Sequence, residues 1–93
     1  MTKTDTTERT WCYFIFRVKQ NAKYDVRCPD GGLCIAAVTE LEAVEKAYRS
    51  AYNLLQPARG ELVVCHPVRD RVRRRQALLM HQDWKRAHAY HWN

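Results

Sequence analysis

Trp11-Cys12-Tyr13-Phe14-Ile15-Phe16-Arg17-Val18-Lys19, residues 11–19, is the densest run of aromatic and β-branched side chains in the sequence. In an extended chain successive residues point to opposite sides, and here both sides are apolar over most of the run. The stretch is therefore expected to be a strand near the middle of a sheet, covered at least partly on both faces. Residues 1–9 ahead of it are polar and read as a flexible lead-in, which leaves 10–93 as one α+β domain.

Downstream, QNAK reads as a turn, and Lys23 to Cys28 alternates, with Tyr24, Val26 and Cys28 on one side and Lys23, Asp25 and Arg27 on the other. That alternation predicts a second, half-exposed strand. Pro29-Asp30-Gly31-Gly32 has strong turn chemistry, and Leu33 to Val38 is expected to return as a third strand of a hairpin. Thr39-x-x-Glu42 then fits a capping box, with Val38 and Ala43 at the staple positions. Leu41, Val44, Tyr48, Ala51 and Leu55 recur at helical spacing, so a helix is predicted from about Glu40 to Leu55, stopped by Pro57 and Gly60.

Leu62 to Val68 is expected to be a fourth strand, with Pro67 placing its end at the sheet margin. His66-Pro67 is a candidate cis peptide, because a strand end meeting a helix start is where such a bond would set the exit direction. From about Arg69 a second helix is predicted. A helical wheel gathers Val72, Leu79, Met80, Trp84, Ala87 and Tyr90 on one side and Arg71, Arg74, Arg75, Lys85 and Arg86 on the other. The expected fold is thus α+β in the order β-β-β-α-β-α, a small four-stranded mixed sheet with two helices, the fourth strand parallel to the first. This order also opens the ribonuclease H-like fold, but the first strand has no carboxylate to hold a catalytic Mg²⁺, and no nuclease activity is expected.

The 93 residues carry a formal charge of +6. Through Pro57 eight cations face seven acids, leaving +1, whereas beyond it eight face only three, leaving +5. The basic character therefore belongs to the C-terminal part, where Arg69, Arg71, Arg73, Arg74 and Arg75 crowd together. Such charge draws a protein towards phosphates, acidic membranes or acidic protein faces without choosing among them. No stretch approaches membrane-spanning length and MTKTDTTERT has no apolar signal-type run, so a cytoplasmic protein with reduced cysteines is expected.

Nucleophile-base pairs, paired carboxylates and phosphate loops are not visible, and the expectation is a non-enzyme without cofactor. Cys28, Cys34, Cys65 and His66 are poorly spaced for structural zinc, and the cysteines are expected as small buried hydrophobes. Cys65 and His66, adjacent on a strand, point to opposite faces and cannot readily hydrogen-bond as nucleophile and base. His66, His81, His88 and His91 are read as solvated or helix-end residues rather than metal ligands.

Surplus aromatic side chains beside arginine have the composition of a protein-binding hot spot. In that reading Arg71, Arg74, Arg75 and Lys85 steer and pair with acid groups, and Trp84, Tyr90 and Trp92 anchor. The alternatives are a nucleic acid gripped by the same helix, its phosphates on the arginines and unpaired bases on the rings, or a plain solvated cationic face. In layout, a compact basic cysteine-containing α+β chain without enzyme motifs, the sequence resembles small phage-encoded accessory proteins that modulate host DNA-processing enzymes. That group includes inhibitors of CRISPR effectors and modulators of the recombination exonuclease. The resemblance implies a host protein as partner and a location in the host cytoplasm; it carries over no particular residue.

Overall fold

A computed structural model describes residues 7–88. Its elements are β1 (Arg9–Lys19), β2 (Gly31–Ala37), α1 (Glu40–Leu55), β3 (Glu61–Val68) and α2 (Arg71–His88). The fold is α+β, but the sheet has three strands, not four, in the order β2-β1-β3, with both neighbours antiparallel to β1. β1 is central, as its two-sided apolar pattern requires. Tyr13 and Ile15 enter one core with α1, and Cys12, Phe14, Phe16 and Val18 enter a second core with α2.

The stretch Lys23–Cys28 is not a strand. Asp25 folds it back on itself: its carboxylate accepts the Arg27 N–H at 2.9 Å, and its carbonyl accepts the Cys28 N–H at 2.9 Å. A side chain that satisfies nearby backbone donors competes directly with a sheet ladder. The segment instead crosses the sheet, where Tyr24 lies 4.7 Å from the Phe16 ring and 6.5 Å from His66, between centroids. Losing this strand also reverses the direction of the last one. With two strands ahead of α1 instead of three, β3 returns antiparallel to β1 rather than parallel, and the expected β-β-β-α-β-α order is not realised.

Gly31 and Gly32, read as turn residues, open β2 itself. Gly32 lies under α2 so closely that a Cβ there would sit 2.6 Å from the Ala77 carbonyl oxygen and 2.8 Å from its Cα. The glycine serves a helix–strand contact. Asp30 links the loop to β1, donating its N–H to the Ile15 carbonyl at 3.0 Å and accepting the Arg17 N–H at 2.7 Å.

His66-Pro67 is trans, since no cis peptide bond occurs among the described residues. Pro67 pairs with Tyr13, whose backbone shares the direction of Ile15 and Arg17 and bonds towards Asp30. The N–H that proline lacks would therefore face outward from an edge strand, so the ladder loses no hydrogen bond.

α1 starts at the predicted Thr39 cap, although the Glu42 carboxylate reaches back to Val38 rather than to Thr39 itself. Thr39 accepts the Glu42 N–H at 3.2 Å, and Glu42 accepts the Val38 N–H at 3.4 Å. Its contact with the sheet is made by Ala43, Ala47 and Ala51, each fully buried, flanked by Val44, Tyr48, Leu54 and Leu55. Leu41, counted among the packing residues, is instead 70% exposed. The helix ends at Gln56 in the left-handed region, its N–H bonded to the Tyr52 carbonyl. On the outer edge of β2, the Cys34 N–H is taken by His81 and the Ala36 carbonyl by Lys46, both at 3.0 Å.

Candidate partner-binding surface

α2 begins where Asp70 supplies both ends of a cap, its carboxylate accepting the Arg73 N–H at 3.1 Å and its carbonyl the Arg74 N–H at 2.8 Å. An acid at this position also complements the positive end of the helix. The helix is seated by Ala77, fully buried over Gly32, and by Met80 against the second core. His81 fixes its rotation, because Nδ1 accepts the Cys34 N–H. Burial, and then the charge of Lys85, hold the His81 pKa below its ordinary value, so the neutral ring that this bond needs is favoured.

This seating sets the phase of the helix differently from the hydrophobic wheel. Val72 and Leu79, expected on the packing side, are 75% and 51% exposed, and Leu78 is 41% exposed. On the same 100° wheel, Arg75 and Arg86 lie between Leu78 and Leu79, and Arg71 lies beside Leu78. The outward side of α2 is consequently a mixed strip of arginine and aliphatic residues.

The predicted site residues divide between surfaces. Arg71, Arg74 and Arg75 are exposed and share a cavity of about 330 Å³ with Arg69, Thr10, Cys12, Cys34 and Leu78. Arg74 also donates to the Thr10 carbonyl at 3.0 Å, which ties it across to β1. An adjoining cavity of about 340 Å³ shares Arg69 and Arg74 and is lined further by Arg9, Trp11, Tyr13 and Glu40. Glu40 pairs with Arg69 at 3.4 Å and is the one carboxylate lining either cavity. Lys85 is exposed, whereas Trp84 is half-buried on the sheet side of α2, with its ring 6.4 Å from that of His81. Tyr90 and Trp92 lie outside the described residues.

Sequence reasoning missed Val72, Leu78 and Leu79 as surface residues, together with the bond from Cys34 to His81. The signal for the first was Ala77 set beside a Gly-Gly pair, two small residues that permit close contact. Cys65 lies in the α1 core, Cys34 borders the α2 core and Cys28 is exposed, so the cysteines considered for zinc are not brought together. Among the described residues no three His, Cys, Asp or Glu side chains are grouped to hold a metal, and no helix is long and apolar enough to cross a membrane. Comparison of the chain with protein-family models, curated proteins and solved structures finds no match.

Proposed function

We propose that this chain is a non-enzymatic binding protein whose outward α2 face docks on a larger protein that presents acid groups around an apolar recess, and modulates it. The observation that carries this reading is the exposure of Val72, Leu78 and Leu79 among Arg71, Arg75 and Arg86. Isolated exposed aliphatic residues are ordinary, but three on one capped, seated helix, bordered by arginine, combine an apolar contact with charges that steer encounter. The resemblance of the sequence to phage-encoded accessory proteins is what suggests a host DNA-processing enzyme as the partner class. Arg71, Arg74, Arg75 and Lys85 supply the charge, and Trp84 supports the helix from beneath.

Immobilised protein should retain one stoichiometric protein from a nuclease-treated lysate. The variants Leu79→Glu and Arg75→Glu, with unchanged circular dichroism, should lose it. Equal retention by both variants removes the proposal.

A second reading has its own observation: Arg9, Arg69, Arg71, Arg74 and Arg75 line two adjoining cavities with Glu40 as the single acid. That groove suits a nucleic-acid backbone, and it predicts retention that disappears with nuclease and an affinity that falls steeply with salt.

A further inference from the structure

Cys12 in β1 and Cys34 in β2 are direct register partners. The Cys34 N–H turns away from β1 to reach His81, so the two cysteines occupy a non-hydrogen-bonded position of the ladder. Opposed residues at such positions have the closest Cα atoms and side chains, about 4.5 Å between Cα atoms, within the span that a disulfide bridges. Both thiols point to the α2 side, and their sulfurs are 3.5 Å apart. Cys12 is buried and Cys34 half-buried, yet both border the cavity of about 330 Å³ whose other walls include Arg69, Arg71, Arg74 and Arg75. A dithiol is thus reached through a cationic mouth.

We propose that Cys12 and Cys34 form a thiol–disulfide exchange site for small disulfides that carry carboxylates, closing reversibly into a cross-strand disulfide. Cys34, the more accessible thiol, loses its proton to solvent and attacks one sulfur of the incoming disulfide. The external S–S bond breaks, and its electron pair leaves on the departing thiolate, which takes up a proton. Cys12, deprotonated in turn, attacks the Cys34 sulfur of the mixed disulfide and expels the second external thiolate. Two protein thiols are oxidised and one external disulfide is reduced to two thiols.

Burial, followed by the hydrogen bond and charge of Cys12, pushes the Cys34 thiol up to about 12, while Arg74 and Lys85 act in the opposite direction. His81, Arg71 and Arg75 are the other ionisable groups of α2 around the thiol and its cavity. The thiolate is the attacking form, so exchange is slow near neutrality and accelerates with rising pH. The other two cysteines behave differently. Cys28 is exposed and has no thiol opposite it, so it stops at a mixed disulfide; Cys65 is buried in the α1 core and stays reduced.

The test incubates the Cys28→Ser protein with glutathione disulfide at pH 8.5, followed by acid quench, alkylation under denaturing conditions and peptide mapping. The expected product lacks two hydrogens, links the Cys12 and Cys34 peptides and leaves Cys65 alkylated. Its thermal midpoint should rise by on the order of 10 °C and return on reduction. Adding Cys12→Ser should trap glutathione on Cys34. Cystamine, a cationic disulfide, should react at least about tenfold more slowly at low salt, with the gap narrowing as salt is added. The proposal is overturned if Cys12 and Cys34 stay alkylatable at equilibrium, if a Cys34 adduct accumulates without closing when Cys12 is present, or if cystamine reacts as fast as glutathione disulfide.

Discussion

The two faces of the sheet are covered by one helix each, and they are built on opposite terms. α1 seats three fully buried alanines one turn apart, Ala43, Ala47 and Ala51, and packs Val44, Tyr48, Leu54 and Leu55 around them. α2 seats one fully buried residue, Ala77, adds Met80, and leaves Val72, Leu78 and Leu79 to solvent. Part of the second face is closed by a loop instead, through Tyr24 over Phe16. A helix that hides its apolar residues contributes stability through burial. One that leaves aliphatic residues in solvent gains nothing from those residues, and its hold on the sheet rests on close contact instead.

The contrast can be broken or sharpened by substitution. Ile15→Ala, on the α1 side and 1% exposed, should cost about 4 kcal/mol in denaturant unfolding, because the removed carbons leave a cavity between strand and helix. A cost below about 1 kcal/mol would show that the α1 face is not the tighter one. Gly32→Ala forces a Cβ into the backbone of Ala77 and should cost about 2 kcal/mol, with the loss of order confined to α2 in hydrogen exchange. Uniform loss of protection across both helices would mean that α2 is as integral to the fold as α1.

Acid should act through α2 as well. The His81 pKa is lowered, by burial first and by Lys85 second, from an ordinary 6.5. As pH falls through that ordinary value, the unfolded chain takes up a proton that the folded ring resists, and stability declines until the lowered folded pKa is passed. His81→Asn keeps an acceptor for the Cys34 N–H without the titration. Its urea midpoint should fall less than the parent's between pH 7.5 and 5, and equal declines would remove His81 as the cause. The smallest effect on stability is expected for Leu79→Glu, within about 0.5 kcal/mol of the parent, since an exposed side chain away from special geometry contributes little to folding. The same change should abolish partner binding, so that folding and recognition separate at one residue.

Much of this fold was legible in the sequence where a local rule had no rival. The two-sided apolar run of β1 gave a central strand, and the Thr39 to Glu42 cap and Pro57 bounded α1 at both ends. The failures share a physical origin. The strands supply Tyr13, Phe14, Ile15 and Phe16, so at close-packed density the helices can bring little more than alanine to the line of contact. Hydrophobic periodicity weights the largest side chains, and it therefore pointed α2 at the sheet through Val72 and Leu79, when Ala77, opposite Gly32, decided the seat. The arginines of the candidate surface were visible from composition alone. Their aliphatic companions were hidden by that error of phase, and the expected strand at Lys23–Cys28 was lost to one aspartate that hydrogen-bonds its own neighbours.

The two bonds on the outer edge of β2 bear on how this protein behaves in company. An open edge offers unpaired N–H and C=O groups to any extended chain, including another copy or an unfolded neighbour. Here a histidine from α2 and a lysine from α1 occupy one donor and one acceptor of that edge, while β3 carries a proline where an outward donor would stand. Strand addition is impeded at these positions on both edges of the sheet, while the aliphatic residues of α2 stay exposed.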